Sequence, residues 1–180
     1  INWGDGTATE PLALAEFQAV PFQGPTTATF PGASHTYADN GTYTVSVTLK
    51  DDDMADFVTR TFTITVENVA PQLAGFTSSP LAINENSSVN FNIQYSDPGF
   101  DNPLNTLDPA NGGEAAESFT YDINWGDGRQ EIVNAFTPDV NGAPGVLSTG
   151  SFGGSHIYAD DGTYTVTIAI HDDDGGSDTQ

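Results

Sequence analysis

Six residues, Ile-Asn-Trp-Gly-Asp-Gly, open the chain at 1–6 and return unchanged at 123–128. Each copy is an apolar strand end running into a Gly-Asp-Gly turn. Asp-Gly between two strand-like runs is a strong short-range hairpin signal, because the turn needs residues that tolerate positive φ. Trp125 gives the second hairpin a large apolar anchor. A longer segment also recurs. HTYADNGTYTVSVTLKDDD starts at His35 and HIYADDGTYTVTIAIHDDD at His156, identical at 12 of 19 positions. The first motif returns at an offset of 122 (1 to 123) and the second at 121 (35 to 156), so one residue is lost between them. This is an internal repeat of about 120 residues, the size of one small all-β domain.

The 180 residues hold about one and a half such repeats. The expected division is a repeat over 1–69 lacking its N-terminal strands and a repeat over 70–180 lacking its last strand. A longer tandem array is the expected parent. Glu67-Asn68-Val69-Ala70-Pro71 reads as the linker, with Pro71 biasing Ala70 toward an extended backbone.

Strand periodicity supports an all-β chain. Tyr43, Val45, Val47 and Leu49 alternate with polar residues, and Phe62, Ile64 and Val66 do the same. Val89, Phe91, Ile93 and Tyr95 form another half-buried strand, Phe119, Tyr121, Ile123 and Trp125 the next, and Tyr164, Val166, Ile168 and Ile170 repeat the first. Arg129–Phe136 is the expected return of the hairpin. Residues 7–34 and 137–155 read as matching variable connections. Pro11, Pro21, Pro25 and Pro31 restrict the first of these to edge strands. Glu10–Phe17 has the pattern of a helical turn or two.

Acids number 25 against three bases (Lys50, Arg60, Arg129), a net charge of −22. Such a surface repels phosphates and argues against nucleic acid as a partner. It disfavours anionic membranes too, and no stretch is long and apolar enough to span a bilayer as a helix. It suits solubility, salt tolerance or bound divalent cations. With no cysteine, the cores must hold by packing or by metal. No cysteine nucleophile, Gly-x-Ser-x-Gly elbow or phosphate loop is present. His171 heads an Asp-Asp-Asp run that suggests a metallohydrolase, but Lys50 replaces it in the first copy. The chain is therefore expected not to be an enzyme.

Trp-Gly-Asp-Gly, followed by His-x-Tyr-x-Asp-x-Gly-x-Tyr-x-Val and an acidic loop, resembles the PKD (polycystic kidney disease) domain. Ser96-Asp97-Pro98-Gly99 and the 67–71 linker resemble pieces of large bacterial surface proteins built from such repeats. The resemblance implies tandem immunoglobulin-like β-sandwiches, at least one incomplete here. It implies an extracellular or cell-surface location and a structural or adhesive role. The alternative is a non-catalytic glycan- or protein-binding module attached to a secreted enzyme. The long inserts between hairpin and histidine depart from the family pattern. Tyr43 and Tyr164 sit where a tyrosine corner belongs, and His35 and His156 just before it are expected to be structural.

In such a sandwich alternate loops gather at opposite poles. The loop bearing Asp172, Asp173 and Asp174 and the 96–117 loop bearing Asp97 and Asp101 should share the pole nearest the linker. The turn of Asp5 and the corner of Asp39 should face it, with Glu67 and Asn68 between. Oxygen donors at that density suit Ca²⁺. Turn formation and solvated charge explain the same acids equally well. The expected partners are neighbouring repeats, or identical subunits, in a linear assembly.

Overall fold

A computed structural model describes residues 1–12, 16–18, 27–29, 32–50, 57–75, 82–105 and 116–180, with backbone alone at 16–18 and 27–29. Among the described residues there is no helix. The described residues form eleven strands: β1 (Glu16–Gln18), β2 (Thr27–Thr29), β3 (Gly41–Lys50), β4 (Phe57–Val66), β5 (Gln72–Ala74), β6 (Ser88–Asp97), β7 (Phe119–Asn124), β8 (Gln130–Phe136), β9 (Ser148–Ile157), β10 (Thr167–Asp172) and β11 (Ser177–Thr179). All pairings are antiparallel, and none joins a strand before residue 67 to one after it.

Beyond residue 70, a sheet in the order β11-β10-β7-β8 faces one in the order β5-β6-β9, the layering of a β-sandwich. Ile93 and Tyr95 from β6 meet Phe119 and Ile123 from β7, Phe152 from β9, and Ile168 and Ile170 from β10. Trp125, 2% exposed, closes one end of this core beside Phe91. The alternation in the sequence is thus the alternation of inward and outward faces.

Three expectations change. Residues 137–155 are not merely a variable connection, because 148–157 form β9, which pairs with β6 along its whole length. Its sequence, STGSFGGSHI, hides this behind glycines. A β-carbon on Gly154 would lie 2.7 Å from Ile123 Cδ1 and 3.0 Å from Trp125 Cζ2, and one on Gly150 would strike the Tyr95 ring. The glycines make room for large neighbours rather than breaking the strand. Second, the helical turn at Glu10–Phe17 is not found: Glu16 and Phe17 belong to β1, Glu10 bonds back to Ile1, and 13–15 lie outside the described residues. Third, Tyr164 and Val166 precede β10, whose pairing starts at Thr167.

In the first half β3 and β4 make a two-stranded sheet from Gly41↔Val66 to Lys50↔Phe57. Ile1–Trp3 lies along β3 through the reciprocal Asn2–Ser46 bonds, both 2.9 Å. Tyr43 and Val45 are buried, but Leu49 is 56%, Phe62 51% and Val58 53% exposed. The repeat counterparts of Val47 and Leu49 are Ile168 and Ile170, fully buried in the second core. The Asp51–Asp53 loop lies outside the described residues.

Candidate functional site

Both copies of the hexad build the same turn. The Asn side chain two residues before the first Gly accepts that glycine's N–H: Asn2 Oδ1 from Gly4 at 2.9 Å and Asn124 Oδ1 from Gly126 at 3.0 Å. Oδ1 of Asp5 and of Asp127 accepts the N–H two residues on, from Thr7 and Arg129. Gly4 and Gly126 have φ of +87° and +83°, and a β-carbon on either would strike the carbonyl of Thr44 or Thr165. Only glycine meets both demands.

The second repeated segment closes over this turn. His35 Nε2 lies 2.7 Å from Asp5 Oδ2, and His156 Nε2 2.7 Å from Asp127 Oδ2. Each imidazole stacks on a tryptophan, Trp3 or Trp125, at 4.9 Å between centroids. Tyr37 and Tyr158 then donate to the Trp3 and Trp125 carbonyls. Tyr43 donates to the Asp39 carbonyl at 3.0 Å and Tyr164 to that of Asp160 at 3.1 Å, as a tyrosine corner does. The histidines are thus committed to tying hairpin to corner. Burial raises the Asp5 carboxyl's pKa, but the Thr7 hydroxyl, His35 and the Thr7 N–H outweigh it, and the net shift is downward.

The two copies differ in what covers them. Asp5 is 1% exposed and Asp39 8%, whereas their counterparts Asp127 and Asp160 are exposed. The cover is the segment after β6. Phe100 N–H donates to the Ala38 carbonyl at 3.0 Å, and the Asn102 side chain to the Asp5 carbonyl at 3.1 Å. A β-carbon on Gly6 would collide with the Leu104 carbonyl, while one on Gly128 would meet nothing within 4 Å. Residues 99–105 of the second half are docked on the hairpin and corner of the first.

Carboxylates converge around that contact. Burial and the side chain of Asp174 raise the Asp39 pKa to about 7. Burial, with the charges of Asp172, Asp174 and Asp173, raises Asp97 to about 6 despite the Gly99 N–H bonded to its Oδ1. Burial, then the charges of Asp97, Asp173, Asp39 and Asp174, raises Glu117 to about 9. Neither Asp39 Oδ2 nor Asp97 Oδ2, both buried, has a hydrogen-bond partner.

Of the nine residues singled out in the sequence, Asp39, Asp97, Asp172, Asp173 and Asp174 come together here. Asn68 joins them by donating to Asp172 Oδ2 at 2.9 Å. Asp173 accepts from the Ser118 hydroxyl. Asp101 sits at the rim, accepting from the Glu117 N–H and from Asn141. Asp5 turns to His35 and Thr7 instead, and Glu67 is exposed. Glu117 was not singled out. Its place, two residues before the first inward side chain of β7, is the signal that identifies it. Among the described residues, no group of three or more His, Asp or Glu side chains stands at the spacing that would hold a metal ion. Compared with known proteins, the chain matches no family model and no curated sequence.

Proposed function

We propose that this chain is a piece of an extracellular or cell-surface protein built from tandem PKD-like, immunoglobulin-like sandwiches, with a structural or adhesive role. The observation that carries this reading is the pair of hairpin–corner poles, alike in construction and unlike in cover. The first pole holds residues 99–105 of the following unit. The second presents the same turn, with Gly128 open and Asp127 and Asp160 exposed. A surface that receives the next unit's loop, on a unit that carries such a loop, is a head-to-tail interface. Head-to-tail contacts propagate into open linear assemblies rather than closed rings when the rotation does not close. The next repeat of the same chain or an identical subunit is the natural occupant. The strong net negative charge keeps such an array soluble and suits it to a calcium-containing exterior.

Surface labelling tests this reading. Antibodies against residues 1–180 should stain intact cells that make the protein, or its secreted fraction. Brief protease treatment of intact cells should remove the stain. Staining confined to permeabilised cells would overturn the location and, with it, the role.

A further inference from the structure

We propose that Asp39 of the first half, with Asp97, Glu117 and Asp174 of the second, forms a composite Ca²⁺ site that clamps the two halves together. The inference rests on the tandem-array reading and gives its junction a ligand. Asp39 reaches the site from the corner before β3, Asp97 from the end of β6, Glu117 from just before β7, and Asp174 from the β10–β11 turn.

Two buried atoms point to a missing cation. Asp97 is 3% and Asp39 8% exposed, and the Oδ2 of each has no donor. The near neighbour of the Asp39 carboxyl is the Asp174 carboxyl, so acceptor faces acceptor. Asp97 Oδ1 and Glu117 Oε2 crowd the same side of Gly99, where no β-carbon would fit. The charged neighbours acting on Asp39, Asp97 and Glu117 are all carboxylates. Asp39 Oδ1 accepts the Asn40 N–H and Asp97 Oδ1 the Gly99 N–H, so the deficit lies at the two Oδ2 atoms. A buried carboxylate oxygen with neither donor nor counter-charge is costly, and proteins hold such atoms beside metals or cationic partners.

The remaining acids serve as scaffolding. Asp172 is held by the Gly176 N–H and by Asn68, Asp173 by Ser118, and Asp101 by Asn141. These bonds fix the loops that present the four ligands. A set of oxygen donors alone, from several flexible loops, matches Ca²⁺ rather than Zn²⁺ or Mg²⁺. The repeat supplies an internal comparison. Asp160, the counterpart of Asp39, is exposed, and its Oδ1 accepts the Asp161 N–H. The site therefore exists only where two units meet. The carboxylates do not stand at cage spacing, so the proposed binding requires them to move inward. That suits the weak affinity of extracellular calcium modules, about 10⁻⁴–10⁻³ M.

Calorimetric melting of residues 1–180 tests the site, in chelator and then in millimolar CaCl₂, with MgCl₂ at equal ionic strength as control. CaCl₂ should raise the melting temperature more than MgCl₂ does. Asp39→Asn and Asp97→Asn should melt higher than the unmodified chain in chelator, because each relieves repulsion, and should lose the calcium response. Asp161→Asn, an exposed acid outside the cluster, should keep it. Equal responses to the two cations, or a full calcium response in Asp39→Asn, would overturn the composite site. Either result would leave surface labelling unaffected, so failure here is distinct from failure of the tandem-array reading.

Discussion

Trp125 shows how one residue anchors a unit of this chain. Its ring is buried between Phe91 and His156, and its carbonyl receives the Tyr158 hydroxyl at 2.8 Å. Trp125→Ala should cost about 3–5 kcal/mol, much of the stability of a small domain. Chemical denaturation should show the midpoint fall with little change in slope. Asp5 makes a different prediction, about pH. Its folded pKa lies below its ordinary value, so folding favours its ionised form. That contribution is present above the unfolded pKa of about 4 and is lost as pH falls through the lower folded value. Asp5→Asn should therefore lose stability at neutral pH and match the parent more closely in acid. Parallel denaturation series across pH would show a constant gap if Asp5 acted only through shape.

At the scale of elements, strands that alternate were legible and the strand that does not alternate was not. β3, β6 and β7 carry apolar side chains at alternate positions, as β4 does from Phe62 to Val66, and the structure turns those of β6 and β7 inward. β9 carries Phe152 and a set of glycines. Its inward glycines leave room for Tyr95, the cross-strand partner of Gly150, and for Ile123 and Trp125 from the facing sheet. That information lies in the neighbours, not in the strand. The acidic site was legible in part for a similar reason. The Asp run at 172–174 and Asp97 announce themselves as turn acids, whereas Glu117 gains its character from burial among them. Gly154→Val should overpack the core and cost about 1–3 kcal/mol. A Gly128→Val control, with the same side chain at an open turn of φ +93°, separates overpacking from backbone strain. Gly154→Val should disturb near-ultraviolet signals from Trp125, and Gly128→Val should not.

At the scale of the molecule, the two halves complete their cores unequally. The second encloses its apolar face between two sheets. In the first, Leu49, Val58 and Phe62 remain exposed, whereas Ile170, the counterpart of Leu49, is buried in the second core. Exposed apolar side chains on a two-stranded sheet favour association. Residues 1–180 expressed alone should form polymers, or unfold in two steps with the first half melting earlier. A monomer that unfolds in one cooperative step would count against the incomplete-repeat reading.

The loop at 99–105 holds the two halves together through Ala38, Asp5 and Gly6. The chain has no cysteine, so two can be introduced and spin-labelled without background. Labels replacing the exposed residues Thr42 on β3 and Ile132 on β8 would report the distance across the junction by pulsed dipolar spectroscopy. The docked loop predicts one narrow distance distribution. Gly6→Val, whose side chain would enter the Leu104 carbonyl, should broaden it while strand content stays unchanged. A distribution already broad in the parent chain, or one that Gly6→Val leaves narrow, would contradict the account.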